Sequence, residues 1–258
     1  MQYIKLECRD KVAIVTIDRP EALNAINSQV LAELEETFTN MDSNEIRCVI
    51  ITGAGSKAFV AGADIAEMSE MNPDQARAYA ARGLTVFDLI ENFPAPVIAA
   101  VNGYALGGGC ELTLACDLRL AAENAVFGQP EVSLGVCAGF GATQRLSRLI
   151  GIAKAKELLF TGGRIKAQKA LECGLVNCVY AAEELMEQAL KLANKIAANA
   201  PVAVRATKQA INEGVFTDID TAYNIETELF AACFATMDQK NAMRAFVQKR
   251  LAEPFMNK

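Results

Sequence analysis

The feature that most constrains this chain is a wholly apolar run, Val97–Val101, followed closely by three consecutive glycines. A short run of this kind is typical of a strand buried on both faces in a parallel sheet. The glycines at 107–109 then begin a segment that we predict to be helical. A helix N-terminus offers unpaired N–H donors and a partial positive charge. Because glycine lets the backbone approach a ligand closely, the junction predicts an anion-binding site.

Glu111 lies in the first turn of this predicted helix, beside those donors. Acidic residues are common in first turns. Taken alone, Glu111 is therefore equally consistent with a structural role in which it only complements the helix dipole. The alternative is an ionisable group that acts on a ligand held at the glycines. Features elsewhere in the chain favour this second interpretation.

The chain of 258 residues contains no histidine. This absence excludes Ser-His-Asp and Cys-His nucleophile systems and removes the usual base at neutral pH. Acid–base chemistry must therefore use carboxylates, lysine, tyrosine or cysteine, and carboxylates with shifted pKa values are the leading candidates. The length allows one large domain with a substantial core.

Charge and composition limit the kinds of partner that the chain is expected to bind. A net charge of −6 argues against a nucleic-acid surface, and no apolar run is suited to crossing a bilayer. The N-terminus lacks a signal-peptide core, so we expect a cytoplasmic protein without membrane or nucleic-acid partners. The eight cysteines form no Cys-x-x-Cys pair and are predicted to be buried free thiols. We expect no metal site.

The order of predicted elements indicates a parallel α/β architecture, with ligand chemistry at the carboxyl ends of strands. Half-buried strands are predicted at 3–8 and 12–17, and buried strands at 47–52 and 97–101. A further strand is predicted at 117–121 and a shorter one at 125–128. Helices are predicted from Asn27 or Ser28 to Phe38, at 73–92 and from about residue 139. The chain ends with four amphipathic helices, at 183–199, 201–213, 218–235 and 237–251.

Two loops rich in small residues follow the third strand. The string G-x-G-x-x-A at 53–58 imitates a dinucleotide fingerprint, but no helix begins at its glycines, so we reject that interpretation. The second loop, at 61–65, leads into a short acidic helix. Asp64 is either a simple N-cap or marks a second backbone donor aimed at the same ligand oxygen. Two converging donors would make a useful oxyanion hole.

Six strings in order carry a family resemblance. They are R-P-E-A-L-N-A at 19–25, A-F-V-A-G-A-D-I at 58–65, P-V-I-A-A-V-N-G-Y-A-L-G-G-G-C-E-L at 96–112, C-D-L-R-L-A at 116–121, F-G-Q-P-E-V-S-L-G at 127–135 and G-F-G-A-T-Q-R-L at 139–146. With these strings the chain resembles the enoyl-CoA hydratase/isomerase family, the crotonases, over essentially its full length. The resemblance implies an α/β spiral of repeated ββα units in residues 1–195. It also implies a helical trimerisation region in residues 196–258, and a trimer or dimer of trimers.

The same resemblance implies the site residues. The backbone N–H groups of Ala63 and Gly108 would hold the acyl thioester oxygen, and Glu111 and Glu131 would act on one water molecule. Substrate and coenzyme A contacts are expected at Ala22, Leu23, Ala25, Ala61, Asp64, Ile65, Tyr104, Gly107, Pro130 and Gly139. Coenzyme A is part of the substrate, so no separate cofactor is expected.

The expected reaction is the reversible hydration of short-chain trans-2-enoyl-CoA to 3-hydroxyacyl-CoA. We assign Glu111 as base and Glu131 as acid for hydration, with the roles exchanged for dehydration. Glu131 taken alone would be an exposed loop acid. Within the family, the alternative is a Δ3,Δ2-enoyl-CoA isomerase, which needs only one proton-shuttling carboxylate. Outside enzymes, it is a non-catalytic acyl-CoA- or RNA-binding scaffold.

Other residues near these strings receive structural interpretations. Tyr104 and Phe140 are acyl-pocket walls or simply core, Gln129 packs in a turn, and Arg145 supports a loop. The family often has proline at the position of Ala138 and glycine at that of Ala142. These departures bear on acyl chain length rather than on reaction type.

Overall fold

Ten strands form two sheets, and eleven α-helices pack around them, in a computed structural model that describes residues 1–258. The strands are β1 (Ile4–Arg9), β2 (Val12–Ile17), β3 (Cys48–Gly53), β4 (Ala58–Val60), β5 (Val97–Val101), β6 (Tyr104–Leu106), β7 (Leu118–Ala122), β8 (Val126–Gly128), β9 (Arg164–Lys166) and β10 (Cys178–Tyr180). The helices are α1 (Ser28–Asn40), α2 (Ile65–Met68), α3 (Pro73–Glu91), α4 (Gly108–Leu114), α5 (Ala142–Ile150), α6 (Ile152–Thr161), α7 (Ala167–Glu172), α8 (Leu185–Ala197), α9 (Pro201–Gly214), α10 (Ile219–Cys233) and α11 (Met237–Val247). Two 3-10 turns lie at Pro20–Ala22 and Pro130–Leu134.

The larger sheet has the order β1-β2-β3-β5-β7-β10 and is parallel except for the antiparallel pair β1–β2. The smaller sheet has the order β4-β6-β8-β9, with β9 antiparallel to β8. Each of β3, β5 and β7 runs into the next strand, β4, β6 or β8, before the chain turns helical. Successive turns therefore add one strand to each sheet, which confirms the predicted spiral of ββα units.

The apolar runs take the central positions of the larger sheet. Every residue of β3 and β5 is buried. One face packs against a core that includes Leu31, Leu34 and Phe87 from α1 and α3. The other face, through Ile50 and Ile98, is covered by α8. A strand enclosed between two helical layers has no polar face, which explains the runs without alternation.

Local signals place the helix ends well. The Asn27 side chain caps α1 by accepting a hydrogen bond from the Val30 amide. Asn72 and Gln75 form a capping box at α3. Both are arrangements in which side chains satisfy the free N–H groups of a first turn.

Several predictions need correction. The short strands β4 and β6 lay in predicted loops, because three residues give too little periodicity to recognise. Strand β2 is almost fully buried rather than half-buried, since it pairs on both sides within the larger sheet. The helical segment after residue 139 is two helices, α5 and α6, separated at Gly151.

All eight cysteines are free, but only three of them are buried. Cys8 lies on the exposed strand β1, and Cys137 lies in the loop before α5, where both side chains face solvent. Cys48, Cys110 and Cys116 are buried as predicted, and the other three are half-buried.

The last third of the chain is helical, as predicted. Helix α8 lies on the larger sheet, whereas α9, α10 and α11 carry many exposed apolar side chains. The predicted boundary after residue 195 falls in the last turn of α8, and the division into two regions stays a prediction. No helix combines the length and apolar character needed to cross a bilayer.

Candidate active site

The candidate site lies where three neighbouring parallel strands of the smaller sheet end. Strand β4 leads to Ala63, β6 leads to Gly107 and Gly108, and β8 leads to Glu131. Because the carboxyl ends of parallel neighbours meet at one edge, segments far apart in sequence are brought together there. Loops that are far apart in the sequence therefore lie together around the N-terminus of α4.

Two backbone amides at this edge are available to an acceptor. Ile26 bonds with both neighbours of Ala63, donating to the Gly62 carbonyl at 2.8 Å and accepting from the Asp64 amide at 2.7 Å, which leaves the Ala63 N–H without an acceptor in the chain. Gly108 is the first residue of α4, so its N–H has no acceptor within the helix. A Cβ on Gly108 would lie 3.5 Å from the Ala63 nitrogen, which shows how close the two amides are.

The approach of β4 to α4 depends on Gly109. A Cβ at this position would lie 1.9 Å from the Val60 carbonyl oxygen, closer than any real contact. Only glycine fits there. The third glycine thus lets the helix that carries Gly108 lie against the strand that leads to Ala63.

Glu111, in the first turn of α4, is 2% exposed. Its Oε1 accepts hydrogen bonds from the amides of Phe140 at 2.8 Å and Ala142 at 2.9 Å. Burial, helped by the neighbouring Glu131, raises the pKa of Glu111 to about 7, although the two amides and Arg145 act to lower it. A carboxyl group with this pKa is able both to take up and to release a proton near neutral pH.

Glu131 is half-buried in the 3-10 turn after β8, so it is not the exposed loop acid that the sequence alone would favour. Its Oε1 would lie 3.0 Å from a Cβ on Gly107, the residue that precedes α4. Burial raises the pKa of Glu131 above its ordinary value. Both acids therefore converge on the start of α4, beside the two amides.

Gln129, for which the sequence predicts only packing in a turn, lies beside Glu131. It is 1% exposed, and the amide orientation that satisfies its hydrogen bonds has Nε2 donating to both Glu131 oxygens, at 2.8 and 3.2 Å. The side chain of Gln129 therefore orients the second acid. Its position two residues before Glu131, at the end of a strand, was the available signal.

The predicted coenzyme A segments lie side by side. The Ala61 amide donates to the Leu23 carbonyl at 3.1 Å, and Arg19 pairs with Asp64 at 2.7 Å. The structure thus joins the loop containing Ala22, Leu23 and Ala25 to the loop containing Ala61, Asp64 and Ile65. Leu23 and Ile65 present exposed apolar side chains in these two loops.

The other residues predicted to contact the substrate lie in three different places. Pro130 begins the turn that carries Glu131, and exposed Gly139 precedes the Phe140 amide that holds Glu111. Tyr104 begins β6, at the end away from Gly107, and is 41% exposed. A role for Tyr104 in substrate binding stays a prediction.

Phe140 belongs to the core and also reaches the site. Its ring is buried against Tyr79 and Phe87, with ring centroids 5.3 and 5.5 Å away. A Cβ on Gly108 would lie 3.2 Å from the same ring. The core interpretation of Phe140 is thus confirmed, and its role as an acyl-pocket wall stays a prediction.

Comparisons with known proteins match nearly the whole chain to one family. A family model described as enoyl-CoA hydratase/isomerase matches residues 7–256. The chain is 56% identical to a short-chain-enoyl-CoA hydratase of Clostridium acetobutylicum, covering 100% of this chain and 99% of the relative. It is 51% identical to a crotonyl-CoA hydratase of Syntrophomonas wolfei, covering 97% of each chain.

A solved structure gives the same result for the fold. The enoyl-CoA hydratase from Bacillus anthracis superimposes with a TM-score of 0.96 at 42% identity, covering 100% of both chains. The spiral architecture, including the placement of the smaller sheet, is therefore shared with an experimentally determined structure.

Proposed function

Because this chain belongs to the enoyl-CoA hydratase/isomerase family, we propose that it catalyses the reversible addition of water to short-chain trans-2-enoyl-CoA, giving 3-hydroxyacyl-CoA. The observation that carries this proposal is the convergence of Glu111 and Glu131 at the start of α4, beside the amides of Ala63 and Gly108. The reaction needs all four groups. An isomerase would need only one of the two acids.

In the proposed hydration, the thioester oxygen accepts hydrogen bonds from Ala63 and Gly108. Glu111 removes a proton from water as the water oxygen bonds to C3, and the electrons of the double bond move toward the thioester oxygen. Glu131 then supplies a proton to C2. The sum is addition of H and OH across the double bond, and dehydration runs the same steps backwards with the roles exchanged.

The amides contribute because negative charge develops on the oxygen that they face. Removing one donor of this kind costs roughly 2.7–4 kcal/mol in other enzymes. The two acids contribute because one must be ionised while the other carries a proton. Carboxyl groups close together share a proton in this way, since both cannot ionise cheaply.

The test is a direct assay with crotonyl-CoA. We expect loss of the ultraviolet absorbance of the conjugated thioester as 3-hydroxybutyryl-CoA forms, and recovery of that absorbance when the hydroxy compound is supplied. Unchanged crotonyl-CoA together with conversion of a 3-enoyl-CoA would instead identify an isomerase. A series of enoyl-CoA thioesters of increasing acyl length would define the chain-length preference, on which Ala138 and Ala142 bear.

We further propose that α9, α10 and α11 mediate self-association into a trimer or a dimer of trimers. Their exposed apolar side chains support this. Ile219, Tyr223, Phe230 and Met243 are each half or more exposed and line, with Phe234, an apolar groove between the helices. Exposed apolar area on this scale marks an interaction surface.

We also propose that the protein is located in the cytoplasm and is active without a separate cofactor.

A further inference from the structure

Arg145 lies at a position that is electrostatically unfavourable for a cation. It lies in the first turn of α5, where the helix dipole disfavours a cation. Its side chain is nevertheless only 12% exposed. Two acids of α3 compensate its charge. Nε and Nη2 bond to Glu91 at 2.8 and 2.6 Å, and Nη2 also contacts Asp88.

The remaining arm of the guanidinium reaches the loop before α5. Nη1 donates to the Phe140 carbonyl oxygen at 3.1 Å. Gly141 has a φ of +112°, and a Cβ there would lie 2.4 Å from Nη1. A side chain at position 141 would therefore displace the guanidinium. The loop conformation and the position of Arg145 depend on each other.

This loop is the support of Glu111. The amides of Phe140 and Ala142, on either side of Gly141, both donate to Glu111 Oε1. Thus a continuous chain of contacts runs from Glu91 and Asp88 through Arg145 and the Phe140 peptide to the carboxylate. Arg145 touches neither the acid nor the space beside the oxyanion amides.

We propose that Arg145 is a positioning residue for the hydration reaction, because it fixes the two amides that orient Glu111. The inference rests on the role proposed above for Glu111. Arg145 and Glu131 are the charged groups that act on Glu111, with opposite effects on its acidity. Loss of Arg145 removes a nearby cation and loosens two donors to the carboxylate. Both changes favour the protonated acid.

The experiment compares Arg145→Gln, Arg145→Lys and the matched control Arg82→Gln. Arg82 extends from α3 to Glu35 in an exposed ion pair at 3.1 Å, away from Glu111. For Arg145→Gln we expect kcat for crotonyl-CoA hydration to fall about 10- to 100-fold, with a much smaller change in KM, because a small misplacement of a catalytic group has effects of this size. The acid limb of the kcat/KM profile should move to higher pH. Arg82→Gln should match the parent in both respects.

Arg145→Lys keeps the charge but lacks the fork that bonds three partners. We expect its acid limb to stay close to that of the parent while kcat remains reduced. If Arg145→Gln lowers the unfolding temperature but leaves kcat and the acid limb unchanged, Arg145 is only structural and the proposal is wrong. If Arg145→Gln does not fold, parent-like kcat in Arg145→Lys overturns it instead.

Glu111→Gln measured in parallel separates this inference from the proposed function. An inactive Glu111→Gln with a parent-like Arg145→Gln would reject only the role of Arg145. A fully active Glu111→Gln would reject the role of Glu111 and, with it, the inference that depends on it.

Discussion

The acidity of Glu111 results from opposing contributions at one carboxylate. Burial and the nearby Glu131 favour the protonated form, whereas two backbone amides and Arg145 favour the ionised form. Burial is the largest contribution, so the pKa is raised to about 7. The result is a group that exchanges protons near neutral pH in a chain without histidine.

Replacing either acid by its amide tests both catalytic roles. Glu111→Gln and Glu131→Gln should each reduce turnover of crotonyl-CoA by roughly 10²–10⁴, the range typical of a general acid or base. Glutamine has nearly the same shape, so both variants should fold. Glu123→Gln, which changes an exposed acid outside the site, serves as the control. Full activity in either variant would show that the assigned residue is not needed.

Glu111 should also make folding stability depend on pH. Its folded pKa, about 7, lies above the ordinary value of 4.5, so its contribution is fully present below about pH 4.5 and is lost as pH rises through 7. Glu111→Gln should therefore exceed the parent in stability at pH 8, by up to about 3 kcal/mol, and approach it at low pH. Urea unfolding at several pH values measures this. A difference that does not vary with pH would contradict the raised pKa.

At the scale of elements, the site depends on short strands and close backbone contacts. Strands β4, β6 and β8 have three residues each, yet their carboxyl ends position both amides and the second acid. Helix α4 supplies Gly108 and Glu111 from a single turn. The geometry of the site therefore depends on how α4 packs against the smaller sheet.

Gly109→Ala tests the contact between α4 and β4. The added methyl would meet the Val60 carbonyl oxygen at 1.9 Å, so the helix must move or the protein must lose stability. We expect destabilisation at the upper end of the 1–3 kcal/mol typical of overpacking, together with a large loss of hydration activity. Gly139→Ala is the stability control, since its nearest neighbour, the Ala80 Cβ, would be 3.8 Å away. Equal unfolding temperatures for the two variants would show that α4 does not need this approach.

At the scale of the whole molecule, the two ends of the chain have different surfaces. The spiral buries most of its large apolar residues between sheets and helices, although a few, such as Ile152 and Phe160, are exposed. The final helices leave large apolar side chains uncovered, including Phe230 at 64% exposure and Phe246 at 85%. This contrast is the physical reason for expecting the final helices, rather than the spiral, to associate.

A charge in the apolar groove should therefore disrupt the assembly. We expect the parent to elute as a trimer or dimer of trimers in size-exclusion chromatography with light scattering. Phe230→Asp should shift it to smaller species, because burying an unpaired carboxylate is costly. Leu6→Asp, at an exposed apolar residue on β1, should leave the mass unchanged. A monomeric parent would contradict the proposal, and so would a Phe230→Asp variant of parental mass.

The elements with strong periodicity or a wholly apolar composition could be predicted from the amino-acid sequence. The apolar runs of β3 and β5, the capped helices α1 and α3, and the final four helices were predicted near their observed positions. Such features depend on residues near one another in the chain. The absence of histidine pointed to carboxylates, and the ordered strings pointed to Glu111 and Glu131.

How those residues come together could not be predicted from local sequence. The short strands β4 and β6 carry almost no local signal, and their pairing depends on neighbours in space. The hydrogen bonds of Gln129 to Glu131, and the partners through which Arg145 supports its loop, were not predictable for the same reason, since they exist only after the loops are assembled. The raised pKa of Glu111 likewise comes from burial, which depends on the packing of the whole spiral. Local sequence selects the chemical groups, and long-range packing sets their distances and acidity.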